Sequence, residues 1–246
     1  MEKGPSIQEQ AAFYDRWNVA YRSGDIDRVP HEISIRGRRV VELLRATADS
    51  RLQVLEVGCG TGWLCGALSE LGTVTAIDLS PRAIEIARRR QLSARFITAD
   101  FCTYDFGDSR FDAVVCVETL FYVYDQPGFV ARMARLLRPG GMLGLTAINK
   151  FVYERSADIR PPEQGQIRHW LSKREISQLL APCFDIVSAS TIEPRGDQGI
   201  LRVVNSPKLN YLPNRLLGAH RVRRLKETCG FGGGVVILAQ RNRRAP

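Results

Sequence analysis

No apolar run in this 246-residue chain approaches the roughly 20 residues that cross a bilayer; the longest, such as 113–117, have the length of a strand. Behind Met1-Glu2-Lys3-Gly4-Pro5 there is no apolar stretch that would make a secretory leader, so a cytoplasmic protein is expected. Zinc-type spacing is missing as well. None of the six cysteines (Cys59, Cys65, Cys102, Cys116, Cys183 and Cys229) forms a C-x-x-C pair or stands near histidines at ligand spacing. They are expected as reduced core or loop residues, with no metal. Histidine is scarce, at three, so few side chains are available as a base near neutral pH. Low-complexity tracts and repeats of about 20–50 residues are also missing, which excludes solenoids. What remains, 44% apolar and 25% charged, suits one sizeable globular domain.

The charge is unevenly spread. Residues 202–246 hold ten Lys or Arg against a single acid, Glu227, whereas the first 201 residues balance at 25 of each sign. One reading is a solvated basic face ending in the Arg241-Asn242-Arg243-Arg244 tail. The other is a field that attracts an anionic partner: a phosphate, a carboxylate, a nucleic acid or a lipid head group.

The pattern along the chain is helical at first, then alternates. Ser6-Ile7-Gln8-Glu9 is a capping box, opening a helix through Phe13, Tyr14 and Trp17 towards Tyr21. Ser23-Gly24-Asp25 breaks it, and a second helix is expected over about 32–46. Strands follow at 52–57, 73–77, 95–97, 111–117 and 142–147, with helices at 61–71, from Ser80-Pro81 through Ala87, and at 126–137 before the Pro139-Gly140-Gly141 stop. A second capping box, Ser172 to Glu175, opens another helix, and strands are expected at 184–190 and 234–240. Strands alternating with helices predict a doubly wound α/β sheet, covered on both faces. The organisation expected is a helical lid over 1–48, a core over 49–246, and a basic insertion at about 193–233 between the last two strands.

The decisive segment is Val54-Leu55-Glu56-Val57-Gly58-Cys59-Gly60-Thr61-Gly62, an apolar strand running into G-x-G-x-G. Glycine lets the backbone turn sharply and brings a ligand against bare main chain, beside the free amides of a helix start. A dinucleotide fingerprint would place its third glycine at position 63, where Trp63 stands. Two acids then end the second and third strands. Asp78, twenty residues after Gly58, can accept both hydroxyls of a ribose, and Asp100 can accept from an adenine amino group beside the Phe101 ring.

This set resembles the class I S-adenosylmethionine-dependent methyltransferases over about residues 50–150. Val54–Gly62 is similar to their signature loop, and Asp78, Asp100, the strand Phe111–Val117 and the Leu136-to-Gly141 turn follow in the family's order. Within the class it is most similar to small-molecule enzymes of quinone and natural-product biosynthesis. The resemblance implies a Rossmann-like seven-stranded sheet, mostly parallel with an antiparallel last strand, and S-adenosyl-L-methionine as cofactor. By position it implies that Gly58, Cys59, Gly60 and Gly62 line the methionine and ribose and that Asp78 and Leu79 hold the ribose. Asp100 and Phe101 would contact adenine, with Glu56, Val117 and Glu118 near the methionine end and Tyr14 and Trp17 on the lid.

Related enzymes often carry a histidine shortly after the fourth strand, where Tyr122 stands here, so a base must come from elsewhere or be omitted. His169, Tyr122 and Glu118 are the candidates, while Arg168, Arg195 and Arg202 are candidate clamps for an anionic acceptor. The insertion is expected to cover that acceptor. The function expected is O-methylation of a hydroxylated or anionic small molecule, with N-methylation next. The alternatives are an RNA methyltransferase using the basic C-terminal part, and a non-catalytic cofactor-binding scaffold. Nucleic acid is disfavoured because no Asn-Pro-Pro-Tyr motif follows the fourth strand and no RNA-binding module is appended.

Overall fold

The computed structural model describes residues 5–22, 29–157, 159, 163 and 166–242; the Ser23-Gly24-Asp25 break and the Arg243-Arg244 end of the tail lie outside these. Seven strands make one sheet: β1 (Leu52–Val57), β2 (Gly72–Asp78), β3 (Ala94–Thr98), β4 (Phe111–Val117), β5 (Leu137–Ile148), β6 (Phe184–Pro194) and β7 (Gly232–Arg241). Their order is β3-β2-β1-β4-β5-β7-β6. The ladders from β3 through to β5 are parallel, and β7 runs antiparallel to both β5 and β6. The chain winds outward from β1 to β3 and returns to β4 on the other side. A crevice therefore opens above β1 and β4, where sheets of this kind bind ligands.

Helices cover both faces: α1 (Ile7–Arg22), α2 (His31–Thr47), α3 (Cys65–Ser69), α4 (Pro81–Arg89), α5 (Gln126–Leu136), α6 (Lys150–Tyr153), α7 (Lys173–Leu180), α8 (Gly199–Val204), α9 (Pro207–Leu217) and α10 (Ala219–Thr228). Strand β4 shows the period of two that builds two cores. Val114 and Cys116 join Phe129 and Met133 of α5 and Ile176 of α7 on one face. Ala113, Val115 and Val117 join Val40 and Leu44 of α2, Leu68 of α3 and Ile84 of α4 on the other. The expected caps are formed. The Glu9 amide donates to Ser6 Oγ at 3.3 Å, the Glu175 amide to Ser172 Oγ at 3.3 Å, and the Ala83 amide to Ser80 Oγ at 3.0 Å.

Three elements differ from their expected bounds. The helix after the glycine loop begins at Cys65, not Thr61, because Gly58, Gly60 and Gly62 hold φ of +73°, +52° and +70° and delay helical geometry. Pro139-Gly140-Gly141 does not end a helix in open loop; α5 stops at Leu136, and β5 starts at once at Leu137. The segment between β6 and β7 folds into α8, α9 and α10.

Of the two N-terminal helices, α2 is a layer of the core, with Val40 and Leu44 buried against the sheet. A methyl group on Gly144 of β5 would lie 2.4 Å from Val40, so the helix seats directly on bare backbone. Its inner stripe also carries a charge, Arg36, among Gly37, Val40, Val41 and Leu44. On β7 a Gly234 Cβ would come 2.1 Å from Arg36 Nε, so glycine there makes room for the guanidinium. Helix α1 packs on α4, where Asp15 Oδ1 accepts from Ser80 Oγ at 2.5 Å and from the Arg82 amide at 3.3 Å.

At the end of β1, Glu56 is buried beneath the glycine loop and accepts a hydrogen bond from Cys65 Sγ at 3.0 Å. Burial pushes its carboxyl up to about 7; the Cys65 bond opposes this and the Asp78 charge adds to it. A carboxyl raised in the folded state gives stability that is full below its ordinary value of 4.5 and lost as pH rises through 7. Glu56→Gln is therefore expected to flatten a fall in unfolding free energy of about 3 kcal/mol between pH 4.5 and 7. Urea titrations of both proteins across that range measure it, and an unchanged slope would contradict the assignment.

Candidate active site

A cavity of about 610 Å³ fills the crevice above β1, β2 and β4. Gly58, Cys59 and Gly60 form one wall through their backbone, and Val57, Ile77, Leu79 and Val117 lie beside them. A Cβ on Gly58 would sit 2.2 Å from Thr119 Oγ1, so the loop is in contact with the segment after β4 and tolerates no side chain there. Asp78 is held by two amides, Gly60 N–H to Oδ2 at 2.7 Å and Ser80 N–H to Oδ1 at 2.9 Å. These two amides fix the carboxylate at the end of β2, where it lines the cavity. Asp100 lines the cavity and accepts from the Cys102 amide at 2.9 Å. Phe101 lines it as well, its ring edge-on to Phe129 at 4.9 Å between centroids and its carbonyl accepting from Arg132 Nε at 2.6 Å.

The next wall is ionic. Arg36, only 2% exposed, donates from Nη1 to Glu118 and from Nε to Glu193, both at 3.1 Å. Its Nη2 is buried without a hydrogen-bond partner among the described residues. Burial works against the Arg36 charge; Glu118 first, then Tyr153 and Glu193, outweigh it and hold the pKa above its ordinary value. Burial likewise raises the Glu118 carboxyl, against the pull of Arg36 and of Thr146, whose Oγ1 donates to Glu118 Oε1 at 2.9 Å. Glu118 and Glu193 both adopt left-handed backbone, with φ of +55° and +61°. Such strain in residues with side chains persists where neighbouring structure over-determines it, as it does at sites.

Beyond this wall the cavity becomes aromatic. Tyr14 of α1 packs edge-on against Tyr122 at 5.3 Å, and Trp17 lines the same side. Burial, then Tyr122 and Asp78, raise the Tyr14 phenol, which stays neutral and able to donate. Tyr122, Tyr153, Gln166 and Arg195 are shared with an adjoining cavity of about 310 Å³ that adds Arg168 and Trp170. There the Arg195 guanidinium lies 4.8 Å from the Tyr153 ring centroid, and Arg168 lies 5.2 Å from Trp170. The two rings meet edge-on at 5.5 Å, and Trp170 Nε1 is buried without a hydrogen-bond partner among the described residues. Among the described residues, this arm is lined by two arginines and no acid.

Some expected site residues lie elsewhere. His169 is exposed and lines neither cavity; its amide donates to the Phe121 carbonyl at 2.9 Å, and its ring faces Tyr124. A base role for His169 therefore finds no support in its position. Glu56 and Gly62 do not line the cavity either. Glu56 is under the loop, and a Gly62 Cβ would meet Ala87 and Phe96 at 3.1 Å, so that glycine serves close packing of α4 and β3. The insertion is not a cover: from 193–233 only Arg195 lines the cavities. Arg202, on α8, lines neither. Trp63, which breaks the dinucleotide pattern, packs against α2, where a Gly37 Cβ would lie 2.3 Å from its ring. Arg36 went unread in the sequence although a signal existed. It is a cation on the apolar stripe of a helix, four residues before Val40 and eight before Leu44.

Among the described residues no cluster of His, Cys, Asp or Glu could hold a metal, and no helix is long and apolar enough to cross a membrane. A family described as a methyltransferase domain matches residues 55–145. The ubiquinone biosynthesis O-methyltransferase of Xanthomonas oryzae pv. oryzae is 39% identical over 105 residues, 40% of this chain and 44% of that protein. The chain thus spans less than half the length of the first curated relatives it matches. The namesake protein of Methylocella silvestris is 31% identical over 181 residues, 65% of this chain and 69% of its own length. Among solved structures, the Burkholderia thailandensis 1,6-didemethyltoxoflavin-N1-methyltransferase, with bound 1,6-didemethyltoxoflavin and S-adenosylhomocysteine, is 20% identical with a TM-score of 0.62, covering 98% of this chain and 93% of that one. The [4+2]-cyclase SpnF is 22% identical with a TM-score of 0.63, covering 97% of each chain, so the fold by itself does not fix a reaction. The glycine loop with its acids, the matched domain and the Methylocella relative agree, and the chain belongs to the class I S-adenosylmethionine-dependent methyltransferase family.

Proposed function

We propose that the protein transfers a methyl group from S-adenosyl-L-methionine to a small acceptor bound in the aromatic arm, and that the acceptor carries an anionic group. The observation that carries this is the order of chemistry along one cavity: glycine loop and Asp78, then the Arg36–Glu118 pair, then the tyrosine, tryptophan and arginine arm. The residues present fit the cofactor. Asp78 lines the cavity with its carboxylate fixed by two loop amides, at the place for a ribose diol, and the ionic wall offers both a carboxylate and a guanidinium nitrogen that has no hydrogen-bond partner among the described residues. A zwitterionic amino-acid end needs that pairing, its ammonium towards Glu118 and its carboxylate towards Arg36 Nη2. Asp100 and Phe101 bound the adenine end, and of the lid expected over 1–48 it is α1, with Tyr14 and Trp17, that acts as the cover, α2 being a layer of the core with the 49–246 sheet.

Bound there, the cofactor supplies an electrophilic methyl group on a sulfonium. The chain's own part is alignment and exclusion of water. Tyr122, which lines both arms, is placed to orient the acceptor. Arg168 and Arg195 hold an anionic group by charge-assisted bonds. No histidine lines either cavity, and Glu118 is engaged by Arg36 and Thr146. The nucleophile is therefore one that ionises or stays unprotonated without strong help, such as an acidic hydroxyl. The relatives named for O-methylation make oxygen the first reading, with nitrogen next.

Asp78→Ala is expected to weaken S-adenosylhomocysteine binding roughly 10- to 100-fold by loss of charge-assisted bonds, measured by calorimetry on protein whose circular dichroism matches the parent. Unchanged affinity would separate Asp78 from the cofactor. Incubation with methyl-labelled S-adenosylmethionine and fractionated cell extract is expected to place label in low-mass compounds retained on an anion exchanger. Label confined to RNA would overturn the small-acceptor reading, and label confined to neutral or cationic products would overturn the anionic one.

A further inference from the structure

The hairpin of α9 and α10 belongs to no wall of either cavity. Helix α9 has no buried residue, and in α10 only Val222 is buried. The hairpin is seated through α10, which lies on β6 and whose Glu227 accepts from Thr191 Oγ1 and the Glu193 amide, while Asn210 Nδ2 ties α9 to the Val204 and Ser206 carbonyls just before it. Such a helix has no core to earn its amphipathic pattern, yet the pattern is there. Leu209, Leu212 and Leu216, at i, i+3 and i+7, form one stripe, 60%, 59% and 72% exposed. Lys208 and Arg215 flank it, and across the Gly218 turn α10 turns Arg221, Arg224 and Leu225 outward. Ile200 and Val203 of α8 extend the exposed apolar surface.

From 199 to 226 there are seven Lys or Arg and no acid. That imbalance selects among occupants. A second copy of the same surface would set seven cations against seven. RNA would find the cations but few of the aromatic faces on which bases stack, since leucine supplies most of the apolar area. A leucine stripe bordered by cations, on a hairpin standing off the body, matches the interface of an anionic bilayer. There the leucines enter the acyl boundary, and the Lys and Arg meet phosphate groups.

We propose that α9 and α10, with the end of α8, form a docking surface for anionic lipid membranes. The far end of the hairpin touches the active-site wall. Glu227, which pairs with Arg223 at 3.0 Å, accepts from the amide of Glu193, the residue that holds Arg36. Docking thus places the cavity-bearing domain at a membrane surface through an element coupled to its ionic wall.

Co-sedimentation of the full chain with vesicles of phosphatidylcholine mixed with phosphatidylglycerol, against pure phosphatidylcholine, tests this. Binding to the mixed vesicles alone is expected, weakening as salt is raised. Leu209→Ser with Leu216→Ser should lower the partition coefficient, and Arg221→Ala with Arg224→Ala should lower it roughly ten-fold or more. S-adenosylhomocysteine affinity should stay at the parental value in both variants, which reports that they fold. Failure to pellet with the mixed vesicles, or pelleting that the variants leave unchanged, would overturn the proposal. So would a salt-sensitive RNA shift without vesicle binding, or a dimer that the leucine variant dissolves.

Discussion

A guanidinium held at 2% exposure between two carboxylates is the constraint on which the rest of the site depends. Removing one partner of a buried ion pair costs about 3–5 kcal/mol, because the other charge is left without solvent or counter-charge. Arg36 therefore ties three otherwise separate pieces: helix α2, the turn after β4 at Glu118, and the end of β6 at Glu193. The sheet makes way for it at Gly234, and two glutamates accept left-handed backbone to reach it. The arrangement uses only part of the cation. One nitrogen of the fork is left over in a buried position, which a folded chain rarely tolerates without a purpose.

The two ends of the cavity follow from different physics. At the glycine-loop end, geometry comes from backbone: three glycines at positive φ, the amides that fix Asp78, and the absence of a side chain on Gly58 facing Thr119. At the aromatic end it comes from side chains, with arginines stacked on Tyr153 and Trp170. Backbone geometry tolerates little substitution, whereas stacked side chains can change residue by residue. One fold can in this way carry different reactions.

Local pattern carried most of the fold. The strands, the three N-caps and the glycine loop each rest on residues within a few positions of one another, so the order of elements was legible, whereas the reversed last strand was implied only by the family resemblance. Asp78 was legible because it ends a strand at a fixed distance from Gly58. What depended on tertiary direction was not. His169 sits in the expected loop, but it is exposed and lines neither cavity. Gly62 belongs to the motif, yet it serves packing against Ala87 and Phe96. The insertion looked like a cover because length alone does not say which side of the sheet a hairpin leaves from. Arg36 was hidden for the same reason: its partners lie 82 and 157 residues away.

A crystal structure of the chain with S-adenosylhomocysteine tests the central claim most directly. The account predicts the nucleoside on the glycine loop with its diol at Asp78, and the amino-acid carboxylate on Arg36 Nη2. A ligand bound elsewhere, or one whose carboxylate leaves Arg36 Nη2 without a partner, would contradict it.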